Sequence, residues 1–240
     1  MDYSALYLIP VNLSDAQMQI LLPTYVEKLR SIRHFLVEEI RTSRRFLRSV
    51  IPDFDIDAST FWEIDKHDPN QSFSEAIRAL RSGQNVGLMS EAGCPGIADP
   101  GGKLVLLAHQ SNIKVVPWIG PSSIALALMA SGMNGQGFTF HGYLPSKSGV
   151  ELHNKIKALE AETYKTGYSQ LFIETPYRNE RLVQDLIQNL RGDTLLCIAT
   201  DLTADTEEIK TLPVHEWRKS KEWGINKRPS IFIIACPSFK

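Results

Sequence analysis

The chain has 240 residues, of which 43% are hydrophobic and 22% are charged, and its formal net charge is −1. This composition supports a packed core and excludes wholesale disorder, and the length suits one large domain or two small ones. No apolar run approaches the ~20 residues that a membrane helix requires, and the first residues lack the pattern of a signal peptide, so we expect a cytoplasmic protein.

Short apolar runs alternate with amphipathic segments along the first half of the chain. This alternation is typical of a mostly parallel β-sheet covered by helices. The predicted strands are Ala5–Ile9, His34–Glu38, Phe61–Ile64, Val86–Met89 and Ile113–Trp118, and the predicted helices are Leu22–Ile32, Thr42–Val50, Ser72–Arg81 and Gly102–Gln110.

Pro117, Gly120 and Pro121 interrupt the pattern and predict a boundary between two α/β domains, residues 1–117 and 118–240. The helix predicted next, Ser122–Ser131, is apolar nearly all round, which indicates burial at an interface between domains or subunits. The remaining predicted strands are Phe138–Leu144, Gln170–Glu174, Leu195–Ala199, Glu208–Leu212 and Ile231–Cys236, and the remaining helices are Glu151–Glu162 and Asn179–Leu190.

The loop from Ser90 to Pro100 is the most informative feature of the sequence. Its eleven residues include Gly93, Pro95 and Gly96, and they follow a strand that is predicted to be buried. Ordinary connections in α/β proteins are shorter, and ligands bind where parallel strands end and glycines let the backbone approach closely. A ligand-binding loop is therefore the favoured interpretation, with a purely structural loop as the alternative.

Charge is distributed unevenly, because two basic stretches lie on an otherwise acidic chain. Glu27–Arg48 holds seven basic and three acidic residues, and Arg218–Arg228 holds five basic residues and one acidic residue. Two such patches could attract an anionic substrate such as RNA. A solvated helix face is an equally good explanation.

Several common catalytic signatures are absent from the sequence. There is no P-loop, no G-x-G-x-x-G after the first strand and no G-x-S-x-G nucleophile motif. The six histidines are isolated and the three cysteines are widely spaced, so we expect neither a metal site nor a disulfide framework. Cys94 lies in the glycine-rich loop, but no partner histidine is recognisable that would make it a nucleophile.

Four segments of the chain match sequence motifs in order and at matching spacing. Ser90–Gly101 resembles S-D-A-G-T-P-x-x-S-D-P-G, and Gly120–Ser123 resembles G-P-S-A. Phe138–Pro145 resembles F-x-F-x-G-F-L-P, and Ile173–Arg178 resembles Y-E-S-P-H-R. One such match would mean little, but the ordered set is specific and spans most of the chain, which thereby resembles the ribosomal small-subunit methyltransferase I family of the tetrapyrrole methylase superfamily.

The resemblance implies two α/β domains with S-adenosylmethionine (SAM) in the cleft between them, and a homodimer. It also implies contacts to the methionine end of SAM near Gly93 and to its adenine side near Glu174. A site built from backbone groups, small residues and apolar walls suits such a ligand. The positions that match the family's cofactor-binding residues are Pro10, Ala92, Gly93, Cys94, Ile97, Ser122, Ser123 and Glu174.

The reaction implied is methylation of the ribose 2′-oxygen of a cytidine in small-subunit ribosomal RNA (rRNA). A ribose hydroxyl is a weak nucleophile and needs a base or a charge relay, for which Glu39 with Arg41, and Arg178, are the candidates. An ordinary Glu39–Arg41 ion pair is the alternative interpretation.

Three departures from the family pattern leave other acceptors open. The first loop lacks a glycine, and the R-E-L-T-K segment is replaced by Thr200–Ala204. Since the sequence stops at Lys240, we also expect it to lack the small C-terminal domain that the resemblance implies. The alternatives are a SAM methyltransferase for a tetrapyrrole or a protein, and a SAM- or RNA-binding module without catalysis.

Overall fold

The computed structural model describes residues 4–14, 20–65, 68, 70–147, 149–220 and 222–238. The chain divides into two compact units, Met1–Ser122 and Ser123–Lys240. Each unit is an α/β structure built on its own five-stranded sheet. Within the described part of the chain, no helix is both long and apolar enough to cross a membrane.

The strands of the N-terminal unit are β1 (Ala5–Ile9), β2 (His34–Val37), β3 (Thr60–Glu63), β4 (Val86–Met89) and β5 (Lys114–Pro117), and the helices are α1 (Pro23–Leu29), α2 (Ile40–Val50), α3 (Ser74–Arg81) and α4 (Gly102–Gln110). The sheet is parallel throughout, with the strand order β3-β2-β4-β1-β5. Its central strands β1, β2 and β4 are nearly continuous apolar runs and largely buried, as expected for strands covered on both faces, whereas the edge strands β3 and β5 have exposed ends.

Two cores pack against opposite faces of this sheet. Leu29 of α1 and Leu47 of α2 pack with Ile9 on one face. Leu80 of α3 and Leu104 of α4 pack on the other face. The connections that leave the neighbouring strands β1 and β4 therefore lead to opposite faces of the sheet. In open α/β sheets, a ligand crevice forms at the carboxyl ends of two such strands.

The strands of the C-terminal unit are β6 (Phe138–Tyr143), β7 (Ser169–Ile173), β8 (Leu195–Thr200), β9 (Glu208–Pro213) and β10 (Ser230–Ala235), and the helices are α5 (Ser123–Ser131), α6 (Val150–Thr166), α7 (Asn179–Asn189) and α8 (Val214–Trp217). Its sheet is mixed, with the order β6-β7-β10-β8-β9. β6 and β7 are parallel, and β10 runs antiparallel to both β7 and β8.

The elements predicted from the sequence are present, with bounds shifted by a few residues at most places. The helix α8 and the short 3₁₀ turn Pro176–Arg178 were not predicted, because each is too short to show a hydrophobic period. Helix α5 buries Ala127 and Leu128 against its own sheet, whereas Met129 is 79% exposed. Its apolar character on all sides is thus only partly explained by packing within its unit.

Candidate functional site

The carboxyl ends of β1, β2, β4 and β5 lie at one edge of the N-terminal sheet, because these strands are parallel and in register. The loops that leave this edge contain six of the sequence-predicted cofactor residues, and Glu39 lies there as the cap of the helix that carries Arg41. The loops that follow β1, β4 and β5 are in direct contact with one another.

Gly93 joins the loop after β4 to the loop after β1. Its N–H donates to the carbonyl of Val11 at 3.0 Å, and the N–H of Val11 donates to the carbonyl of Gly93 at 2.9 Å. The φ angle of Gly93 is +76°, and an added Cβ would lie 3.1 Å from Leu13 Cδ2 and 3.3 Å from the carbonyl oxygen of Pro121. A residue without a side chain is therefore required where these loops meet.

The loop after β5 closes against the other two. An added Cβ on Gly120 would lie 2.0 Å from Cβ of Pro10, so the proline ring fills the space beside this glycine. The thiol of Cys94 donates to the carbonyl of Pro121 at 3.2 Å. Burial raises the pKa of the Cys94 thiol, so the group is held as a neutral hydrogen-bond donor.

Small and apolar residues with exposed surface lie on the loops that form this junction. Ala92 is exposed, and Ile97 exposes 50% of its surface although it is a large apolar residue. Ser122 is half-buried at the end of the loop after β5. Backbone groups, a hydroxyl and an apolar side chain at a sheet edge are the groups expected to hold a nucleoside linked to an amino acid.

Glu39 caps helix α2 at the same edge. Its carboxylate accepts hydrogen bonds from the backbone N–H groups of Arg41 at 2.8 Å and Thr42 at 2.6 Å. These two N–H groups hold the pKa of Glu39 below its usual range. The carboxylate of Glu39 contacts the backbone of Arg41 and not its exposed guanidinium, so the two residues do not form an ordinary ion pair.

The C-terminal unit pairs Glu174 with Arg178 just after β7. Nη2 of Arg178 donates to Oε1 of Glu174 at 2.5 Å, and the N–H of Thr175 donates to the same oxygen at 2.6 Å. The Glu174 side chain is only 5% exposed, whereas that of Arg178 is 38% exposed. Nε of Arg178 is buried without a partner among the described residues, which leaves a donor available for a bound ligand. Ser123, the other predicted cofactor residue of this unit, is the first residue of α5.

Arg228 is a residue that the sequence interpretation did not single out. Its guanidinium donates to Oδ2 of Asp201 at 2.7 Å and to the carbonyls of Gly224 and Thr206. Arg228 thereby anchors the loop between β8 and β9, where Asp201 and Thr203 have φ angles of +49° and +71°. The only indication of Arg228 in the sequence was its place in the basic stretch Arg218–Arg228. A count of charges cannot distinguish an arginine that bonds within the fold from one that is exposed to solvent.

Arg218, in the same basic stretch, also donates hydrogen bonds within its own unit. Its side chain donates to the carbonyls of Ile187 at 2.8 Å and Leu190 at 2.7 Å, at the C-terminal end of α7. Three of the five basic residues in that stretch, Arg218, Lys219 and Arg228, therefore form hydrogen bonds within the unit. Across the residues that the structure describes, no group of three or more His, Cys, Asp or Glu residues is arranged to hold a metal ion.

Comparisons with known proteins agree with this architecture. Residues 25–217 match the family model for tetrapyrrole (corrin/porphyrin) methylases. The chain is 34% identical to the ribosomal RNA small subunit methyltransferase I of Vibrio cholerae over 88% of its length and 69% of the relative's. It is 30% identical to the protein of the same name from Escherichia coli O157:H7, over 98% of this chain and 78% of that one.

Two solved structures share the fold at low sequence identity. A diphthine synthase superposes with a TM-score of 0.68 at 16% identity, covering 99% of this chain and 92% of the other. A cobalt precorrin-4 methyltransferase from cobalamin biosynthesis superposes with a TM-score of 0.62 at 12% identity, covering 96% and 94% of the two chains. At these identities the comparison establishes the fold alone.

Proposed function

Since this chain belongs to the tetrapyrrole methylase family, and within it to the ribosomal RNA small subunit methyltransferase I family, we propose that it methylates the ribose 2′-oxygen of a cytidine in small-subunit rRNA. It is a SAM-dependent methyltransferase. The observation that carries the proposal is the similarity to rRNA methyltransferases over nearly the whole chain, together with a three-loop junction that suits the cofactor.

The residues of the junction fit SAM. Gly93 and Gly120 keep side chains out of the place where the loops meet, and Ile97 offers an apolar wall. In the C-terminal unit, the buried Glu174 is fixed by two hydrogen bonds. We propose that these groups hold SAM together with Pro10, Ala92, Cys94, Ser122 and Ser123.

The cofactor supplies a methyl group activated by a positively charged sulfur, and the protein has to place the ribose oxygen in line with it. The oxygen–carbon bond forms as the sulfur–carbon bond breaks, and the hydroxyl proton is lost to a base or to solvent. We propose that Arg41 and Arg178 contact the RNA beside the reacting hydroxyl. The capped Glu39, a poor proton acceptor because its pKa is lowered, acts as a positioning residue for Arg41.

We also propose that the protein acts as a homodimer in the cytoplasm, where ribosomal RNA is processed. Met129 on α5 supports the dimer, because a large apolar side chain that is 79% exposed is a common component of an interface.

The test is methyl transfer from labelled SAM to small ribosomal subunits or bare rRNA from cells lacking this chain, followed by mass-spectrometric mapping. We expect one 2′-O-methylated cytidine, and none with the Gly93→Arg variant, whose long side chain would enter the loop junction. Transfer to a tetrapyrrole or a protein instead would refute the rRNA assignment. SAM binding by calorimetry without any transfer would indicate a binding module.

A further inference from the structure

Helix α2 presents a row of arginines on its exposed side. Its buried residues are Ser43, Phe46 and Leu47, which face the core of the N-terminal unit. The exposed residues include four arginines at positions i, i+3, i+4 and i+7, namely Arg41, Arg44, Arg45 and Arg48. Residues at this spacing share one side of a helix. We call these four residues the α2 arginine face.

Apart from the attraction between Arg41 and the Glu39 carboxylate, the described residues place no opposite charge in contact with this face. None of the four guanidinium groups forms an ion pair with a carboxylate among the residues that the structure describes. Arg44 contacts the ring of Phe61, with its guanidinium carbon 4.9 Å from the ring centre. Neighbouring arginines behave otherwise, since Arg30 pairs with Asp53 and Arg33 donates to backbone carbonyls.

Four like charges on two turns of helix repel one another and destabilise the free protein. Such an arrangement is explained most simply by a polyanion that binds there. SAM is a poor candidate occupant, because it carries a net positive charge at neutral pH. A phosphodiester backbone has the opposite charge, and arginine matches phosphate in a two-point hydrogen-bonding geometry.

The position of α2 suits the binding of a phosphodiester backbone. The helix starts at Ile40, directly after the edge where β2 ends, and it carries the face away from the candidate site. Its first turn is held by Glu39, which fixes where Arg41 lies. A strand of RNA that reaches the site could therefore continue along the helix over roughly 10 Å, the rise of seven residues.

We infer that the α2 arginine face is a docking surface for the phosphate backbone of the RNA substrate. This inference rests on the proposed function, since it requires that the acceptor is RNA. Contacts to phosphate position an RNA without reading its sequence. The face is thus expected to set affinity, whereas the choice of the methylated nucleotide depends on other groups.

The test uses the triple variant Arg44→Gln, Arg45→Gln, Arg48→Gln, with Arg41 left in place. We expect the KM for rRNA to rise by about tenfold or more at 0.15 M salt, with unchanged calorimetric SAM affinity. The slope of log K for RNA against log salt should fall by about 2, since each lost phosphate contact removes about 0.7 to 0.9. The corresponding triple Arg→Lys variant should keep most of the slope, because the contacts are mainly electrostatic.

A matched control removes three exposed lysines elsewhere, by Lys114→Gln, Lys157→Gln and Lys165→Gln, and should leave the slope nearly unchanged. Equal losses in both triple variants would overturn the docking surface and indicate an effect of net charge alone. An unchanged KM and slope in a folded arginine variant would also overturn it. If the wild-type protein methylates no RNA at all, the proposed function itself fails, so the two failures are distinguishable.

Discussion

The ring of Pro10 occupies the space beside Gly120, so that a Cβ added to this glycine would lie 2.0 Å from the Cβ of Pro10. The loop after β1 and the loop after β5 are thereby locked to each other. We expect Gly120→Ala to lower the free energy of unfolding by about 1–3 kcal/mol and to weaken SAM binding, because the two loops would have to separate.

Urea denaturation and calorimetry with SAM check this expectation. Gly135→Ala is a suitable control, because no atom lies within 4 Å of an added Cβ there and its φ angle is not positive. A Gly120→Ala protein with the stability and SAM affinity of the control would show that the loops accommodate the extra methyl group easily.

A comparison of Gly93 with Gly96 separates backbone strain from crowding. Both glycines have positive φ angles, +76° and +80°, so an alanine at either position costs about 1–2 kcal/mol in backbone strain. Only at Gly93 would the new Cβ also meet Leu13 and the Pro121 carbonyl, at 3.1 and 3.3 Å. We therefore expect Gly93→Ala to weaken SAM binding by about tenfold more than Gly96→Ala, a difference of ~1.4 kcal/mol. Equal SAM affinities in the two variants would argue against a role for the Gly93 junction in binding.

Most of the fold was predictable because the elements have strong local signals. The continuous apolar run Val86–Met89 predicts a buried strand, and the structure has it with the same bounds. The periodic apolar residues of Thr42–Val50 predict a helix, and the structure extends it back to Ile40. That extension depends on the Glu39 cap, which is a contact between a side chain and the backbone and leaves no hydrophobic pattern.

The site was predictable only in part, because its geometry depends on contacts between distant residues. The glycines of the loop after β4 could be identified from the sequence, but the partners of Gly93, namely Val11, Leu13 and Pro121, could not. Arg228 illustrates the same limit, since its ion pair with Asp201 joins positions that are 27 residues apart. The segment Thr200–Ala204 lacks the charged ends of the family's R-E-L-T-K pattern, and Arg228, which comes from another loop, is bonded to Asp201 within it.

Cys94 is expected to be dispensable for methyl transfer. Its thiol donates to the Pro121 carbonyl at 3.2 Å, and a serine hydroxyl can donate in the same way. We expect Cys94→Ser to keep its SAM affinity and its methylation rate within about threefold, a change of under ~0.7 kcal/mol. Because burial raises the pKa of this thiol, alkylation of Cys94 should be slow at pH 7 and faster as the pH rises. A loss of activity in Cys94→Ser would indicate a chemical role for the sulfur.

The cap of α2 makes stability depend on pH in a defined direction. The backbone N–H groups of Arg41 and Thr42 hold the pKa of Glu39 below its ordinary value of 4.5. The stabilisation is therefore fully present above pH 4.5, and it is lost as the pH falls through the lower pKa of the folded protein. We expect Glu39→Gln to lower the thermal midpoint at pH 7, and the difference from the wild type to shrink as the pH falls below this range. Glu222→Gln, which removes an exposed carboxylate that caps no helix, controls for net charge.

The Glu39→Gln protein should also show a raised KM for RNA, because the first turn that carries Arg41 loses its anchor. A stability difference that is independent of pH would contradict the capping role of Glu39. An unchanged KM for RNA would show that this cap does not contribute to RNA binding.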